Sequence, residues 1–131
     1  MEKSMELLGA SSEALAKEVV KVLLSKKAFN IKLFDVRDVS SVTDFYINVT
    51  GLSGTHVASL ADDLAYLIGQ RGVDAERIEG KRTNNWILVD YVNVIVNIFD
   101  RQSRDFYNLD RHFSDGHMVD ISDLEDEIDK N

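Results

Sequence analysis

Three kinds of residue in this 131-residue chain have the chemistry for a reaction or a ligand: three histidines, one glycine-serine turn, and scattered carboxylates. The imidazoles are His56, His112 and His117, and the last two flank the run HFSDGH. A metal wants ligands converging from a rigid element, whereas His117 falls in a predicted loop, so the histidines read as structural or solvated. With no cysteine, thiolate zinc sites, disulfides and a cysteine nucleophile are excluded. Residues 51–55 (GLSGT) lie between a predicted strand and a predicted helix, a context in which backbone N–H groups can hold an anion. The turn lacks the lysine of a P-loop and the three glycines of a dinucleotide fingerprint. A plain strand-to-helix turn capped by Ser53 or Thr55 explains it. A nucleotidyl transferase would add two carboxylates alternating on a strand to hold Mg²⁺. No predicted strand carries such a pair, and the adjacent Asp62 and Asp63 lie on a helix, where neighbours diverge by about 100°. No serine has an evident His/Asp relay. The inventory points away from catalysis and from any cofactor, with a nucleotide-binding protein or nucleotidyl transferase using residues 51–55 as the alternative.

A surface is the better candidate. Residues 86–91 (WILVDY) and 93–99 (NVIVNIF) form the clearest strands in the chain. If Val92 and Asn93 make the loop of a hairpin, Tyr91 faces Val94, Val89 faces Val96 and Ile87 faces Ile98. That face is uniformly apolar and belongs to the core. The opposite face carries Trp86, Leu88, Asp90, Ile95, Asn97 and Phe99, a mixture that is either covered by a helix or left open as an adhesive patch. In this register Trp86 and Phe99 are cross-strand neighbours. An outward-facing Trp86 that anchors a partner is favoured over a purely structural Trp–Phe pair, because the other face already supplies six apolar residues.

The elements that hold this hairpin follow from periodicity. Residues 11–25 place Leu15, Val19, Val22 and Leu23 on one helical stripe, with Ser11 or Ser12 as cap. Residues 31–36 (IKLFDV) and 45–50 (FYINVT) read as strands joined by a polar connection. Residues 55–70 align Val57, Leu60, Ala61, Leu64 and Ile68 as a second helix, with Gly72 just past its end. Strand, helix, strand in that order requires a crossover and hence a partly parallel sheet. Residues 100–113 read as a third helix, with Phe106, Leu109 and Phe113 near helical spacing. The expected fold is α/β: one domain, a mixed sheet of about five strands, and flanking helices.

Charge divides the chain. Residues 114–131 hold seven acids and one base, net −6, whereas the rest holds 16 acids and 14 bases, net −2 of the total −8. The expected organisation is therefore a domain over residues 1–113 and an acidic, mobile tail over 114–131, with at most a frayed terminal helix. Met118, Val119, Ile121, Leu124 and Ile128 are scattered through that tail without a single stripe, so deleting residues 115–131 is expected to leave the fold intact. A protein that grips phosphates needs a basic footprint, and none is visible. No apolar run approaches the ~18 residues of a membrane span. Residues 1–10 are too short and too acidic for a leader, which points to the cytoplasm.

Ordered through residues 35–113 is a series of short motifs: Asp35-Val36, then SSVTDF at 40–45, TGLS at 50–53 and His56-Val57. Leu60-Ala61-Asp62, Glu79-Gly80, WILVDY at 86–91, VIVNIF at 94–99 and RDFYNLD at 104–110 complete it. Each is generic alone, but the series in this order resembles the Iojap family, the ribosomal silencing factor S proteins. The chain departs from that family's usual pattern at Asn97, where a histidine is common, at Phe113, where a tryptophan is common, and at Val92, where a glycine is common. The resemblance implies a fold similar to nucleotidyl transferases without their catalytic carboxylates, and no enzymatic activity. It implies binding to ribosomal protein fourteen of the large subunit, on the intersubunit face, which would block joining to the small subunit and silence translation when nutrients fall. Little direct contact with nucleic acid, no contact with membranes, and a homodimer in the free state go with it. The docking region so implied maps onto Trp86, Asp90 and Tyr91. Leu88, Ile95 and Phe99 would extend its apolar area, and Glu79 would join Asp90 in steering towards a basic partner.

Overall fold

The computed structural model describes residues 3–129. The tail's only lysine, Lys130, and the first two residues of the segment read above for a leader lie outside the described residues. Helix α1 (Ser12–Ser25) opens at Ser11, whose Oγ accepts the Ala14 N–H at 3.1 Å. Strands β1 (Phe29–Asp35) and β2 (Phe45–Thr50) pair antiparallel, and α2 (Gly54–Gly69) crosses over to the remaining strands. These are β3 (Arg77–Glu79), β4 (Trp86–Asp90) and β5 (Val94–Phe99). β2 runs parallel to β5 in the register Phe45↔Val94 to Thr50↔Phe99, the one parallel pairing of the described sheet. The mixed sheet expected from the sequence is present, with six strands in the order β3-β4-β5-β2-β1-β6.

One sheet face is the core. Phe45, Ile47, Val49, Ile87, Val89, Val94, Val96 and Ile98 are fully buried against Val19, Val20, Leu23, Val57, Leu60, Leu64 and Ile68 of the two long helices. The alternation of apolar residues along each strand places them on this side, and burial of that area is the main driving force for the fold. The hairpin pairs as expected, Trp86 with Phe99, Ile87 with Ile98 and Val89 with Val96. Its turn is tight: Tyr91 N–H donates to Val94 O at 2.8 Å and Asn93 N–H to Tyr91 O at 2.9 Å. Val92 sits between them at φ +74°, a left-handed conformation that a β-branched residue adopts only under strain.

Two expectations change. The third helix is broken. α3 (Arg101–Tyr107) ends at Asn108, which adopts φ +48° and ψ +49°, and α4 (Leu109–His112) restarts in a new direction. Asparagine tolerates the left-handed region better than most residues, which lets the chain turn here. Residues 114–129 do not form an open tail: β6 (His117–Val119) adds to the outer edge of β1, Leu33↔Val119 to Asp35↔His117. Helix α5 (Ser122–Asp129) then packs on α1, with Ile121 in the core, Leu124 against it, and Glu127 3.4 Å from Lys21 Nζ. The reason lies in a change of period. Val119 and Ile121 are two apart, as on a strand, and Ile121, Leu124 and Ile128 follow helical spacing, so one stripe cannot describe both.

Candidate docking surface

The second sheet face is mixed and only partly covered. Its side chains, by register, run in rows: Glu79, Leu88, Asn97, Asn48 and Lys32 in one, and Arg77, Asp90, Ile95, Tyr46 and Phe34 in another. The segment α3–α4 crosses this face diagonally. Tyr107 packs on Trp86, with ring centroids 4.7 Å apart, and Trp86 stacks on Phe99 at 5.3 Å. At the other end Phe113 stacks on Tyr46 at 4.0 Å and meets Phe34 edge-on. Aromatic contacts of this kind stabilise beyond the area they bury.

Between these two clusters lies a row of buried and half-buried polar groups that sequence reasoning did not connect. Trp86 Nε1–H donates to Asn97 Oδ1 at 3.0 Å, Asn97 Nδ2–H to Asn48 Oδ1 at 3.2 Å, and Asn48 Nδ2–H to Asp110 Oδ1 at 2.7 Å. Arg104, 5% exposed, donates to both Asp110 oxygens, to Thr50 Oγ1 at 2.9 Å and to Asn30 O at 2.8 Å. Burial alone would push the Asp110 carboxyl up, but the Asn48 and Arg104 hydrogen bonds outweigh it and hold the group below 3.8. The signal available beforehand was Asn48 and Asn97, amides at matched positions of two largely apolar strands.

Of the residues expected at the site, three share an open depression of about 260 Å³: Glu79, Trp86 and Leu88, with Gly80. Gly80, at φ +93°, packs so closely on the Trp86 carbonyl that any Cβ there would collide with it. Tyr107, 39% exposed, and Phe106, 80% exposed, extend the apolar surface outward from Trp86 and were not anticipated. The other four stand behind it. Phe99 is fully buried beneath Trp86, and Ile95 is 7% exposed. Asp90 is engaged: Arg77 Nε lies 3.0 Å from its Oδ2, and its Oδ1 accepts the Val92 N–H at 2.7 Å. Tyr91 belongs to the core face, where its hydroxyl has no hydrogen-bond partner among the described residues.

The places where chemistry was sought are engaged in local structure. Ser53 Oγ caps α2 by accepting the His56 N–H at 3.2 Å. Leu52 N–H donates to His56 Nδ1 at 2.8 Å and His56 Nε2 meets Lys26 O at 2.9 Å, which sets the proton on Nε2. The histidine thus ties the 51–55 turn to the end of α1. Among the described residues no cluster of histidine and carboxylates is arranged to hold a metal ion, and no helix is long and apolar enough to cross a membrane.

Comparison with known proteins decides the family. A model described as "Ribosomal silencing factor during starvation" matches residues 9–131. The chain belongs to the ribosomal silencing factor family. It is 38% identical over 98 residues to the ribosomal silencing factor RsfS of Haemophilus influenzae, covering 75% of this chain and 96% of that protein. It is 27% identical over 111 residues to RsfS of Halalkalibacterium halodurans, covering 85% and 95%. It also resembles the chloroplastic Iojap protein of Zea mays, at 26% identity over 108 residues and 47% of that longer protein. A crystal structure of a Chromobacterium violaceum protein superposes with a TM-score of 0.77 at 26% identity, over 79% of this chain and 87% of that one. For this silencing factor the family match runs through β6 and α5, so the C-terminal segment lies inside the matched region.

Proposed function

We propose that this ribosomal silencing factor binds ribosomal protein fourteen of the large subunit through the Trp86 face, and that its bulk then keeps the small subunit from joining. The observation that carries the reading is the half-open aromatic patch itself: Trp86, Tyr107, Leu88 and exposed Phe106, rimmed by Glu79. A half-buried tryptophan in a depression, ringed by apolar and acidic groups, has the make-up of an interface anchor. Occlusion calls for no chemistry, only an interface of about 800 Å² per partner. A basic partner also accords with a chain of net charge −8. The free protein is, in this reading, a homodimer.

Two measurements test this together. Trp86→Ala, shown to be folded by its melting temperature, should bind purified ribosomal protein fourteen at least about thirtyfold more weakly than wild type. In reconstituted translation the factor should inhibit when added to free subunits and do little to preformed couples. A folded Trp86→Ala variant with wild-type affinity removes the face from docking, and equal inhibition in both orders of addition removes steric blockade.

A further inference from the structure

We propose that the row Asn97–Asn48–Asp110, whose two amides are buried and whose carboxylate is half-buried, is a positioning device that fixes the Trp86 indole for docking, with Arg104 locking its far end; this rests on the docking role proposed above. The indole N–H can only donate, and an ionised carboxylate can only accept. Between these ends stand two amides, each with one donor group and one acceptor. Since Trp86 gives its hydrogen to Asn97 Oδ1, Asn97 must turn its NH₂ to Asn48 Oδ1, and Asn48 must turn its own to Asp110. One orientation of both amides satisfies the row, and its three hydrogen bonds all point the same way. Bonds aligned in this manner strengthen one another.

The far end is anchored as well. Arg104 reaches both Asp110 oxygens and, through Nη1, Asn30 O on β1 and Thr50 on β2, so the carboxylate cannot swing away. Asn48 and Asn97 are almost wholly buried, so losing a partner leaves an unsatisfied polar group inside the protein. A change of donor or acceptor character at Asp110 on α4 is therefore passed across β2 and β5 to a ring on β4. Asn97, Asn48 and Asp110 act through Trp86 rather than by touching the partner.

Trp86 is the chain's single tryptophan, so intrinsic fluorescence reads its environment without any partner. Asn97→Leu keeps the side chain's shape and removes both hydrogen bonds. It should lower fluorescence anisotropy, raise acrylamide quenching, and weaken binding to purified large ribosomal subunits by about fivefold. Trp86→Phe keeps a ring without the N–H, and Asn97→Leu should add nothing to the binding loss in that background. Asp110→Asn should shift the fluorescence in the same direction from a distance, and Asn48→Leu supplies that arm if Asp110→Asn does not fold. A folded Asn97→Leu with wild-type anisotropy and quenching, or binding losses that add in the double variant, would overturn the proposal. If wild-type protein fails to bind the subunits, the docking role falls, and the fluorescence arm still decides whether the row holds the ring.

Discussion

Arg104 is the residue whose loss should cost the fold most among the polar groups. Its guanidinium, with a side chain 4% exposed, spends its donors on Asn30 O, Thr50 Oγ1 and both oxygens of Asp110. Arg104→Met preserves most of the aliphatic stem and deletes the charge. Removing one member of a buried pair typically costs about 3–5 kcal/mol, because the other charge is left without compensation. Here the cost is discounted: the Asp110 side chain keeps 21% of its exposure, the Asn48 bond at 2.7 Å, and Lys32 at 3.5 Å. About 3 kcal/mol is the expected loss. With a urea slope of ~2 kcal/mol/M for a domain of this size, the unfolding midpoint should fall by about 1.5 M. Lys32→Met, which removes an exposed partner of the same carboxylate, should move it by no more than ~0.3 M. The pH dependence supplies a second readout. Because the folded-state value of Asp110 lies below 3.8, its contribution is whole above that pH and is lost as pH falls through the folded value. The gap in stability between wild type and Arg104→Met should therefore narrow as pH falls from neutral through the lowered folded-state value. A midpoint loss no larger than that of Lys32→Met, or a gap independent of pH, would refute the account of Arg104 as the clamp on a half-buried carboxylate.

Ile121→Ala should cost about 2–3 kcal/mol in urea unfolding, as a core truncation does, and a neutral result would mean that β6 and α5 merely rest on the domain. Val92→Gly should raise the melting temperature or leave it unchanged, since the relief of a left-handed valine, of order 1 kcal/mol, offsets the entropy of glycine. Tyr91→Phe removes a buried hydroxyl that has no hydrogen-bond partner among the described residues, so stability should stay within about 0.5 kcal/mol or improve; a loss above ~1.5 kcal/mol would reveal a partner for that oxygen.

Much of this molecule was legible in one dimension. The two long helices, the β1–β2 and β4–β5 strands, the crossover and the hairpin register all follow from local periodicity, because burying one face imposes a period of 2 or 3.6 on adjacent residues. The family, too, could be read from short motifs in a fixed order. What periodicity could not supply was anything arising from residues far apart in the chain. Asn97 stood out only as a departure from the family's usual histidine, and it joins Asn48, Arg104 and Asp110 in one network only when β2, β5 and the broken helix converge on the same side of the sheet. The break at Asn108 was likewise hidden: a single left-handed residue leaves the apolar spacing nearly intact while redirecting the four residues that deliver Asp110. The C-terminal segment read as solvated because its acids dominate composition, yet the unpaired edge of β1 and a gap beside α1 recruit its few apolar residues. The division between contact and support among Trp86, Asp90, Ile95 and Phe99 was decided by tertiary packing alone. Register put all four on one face, and only the path of α3 and the Arg77 side chain determined which of them remain open to a partner.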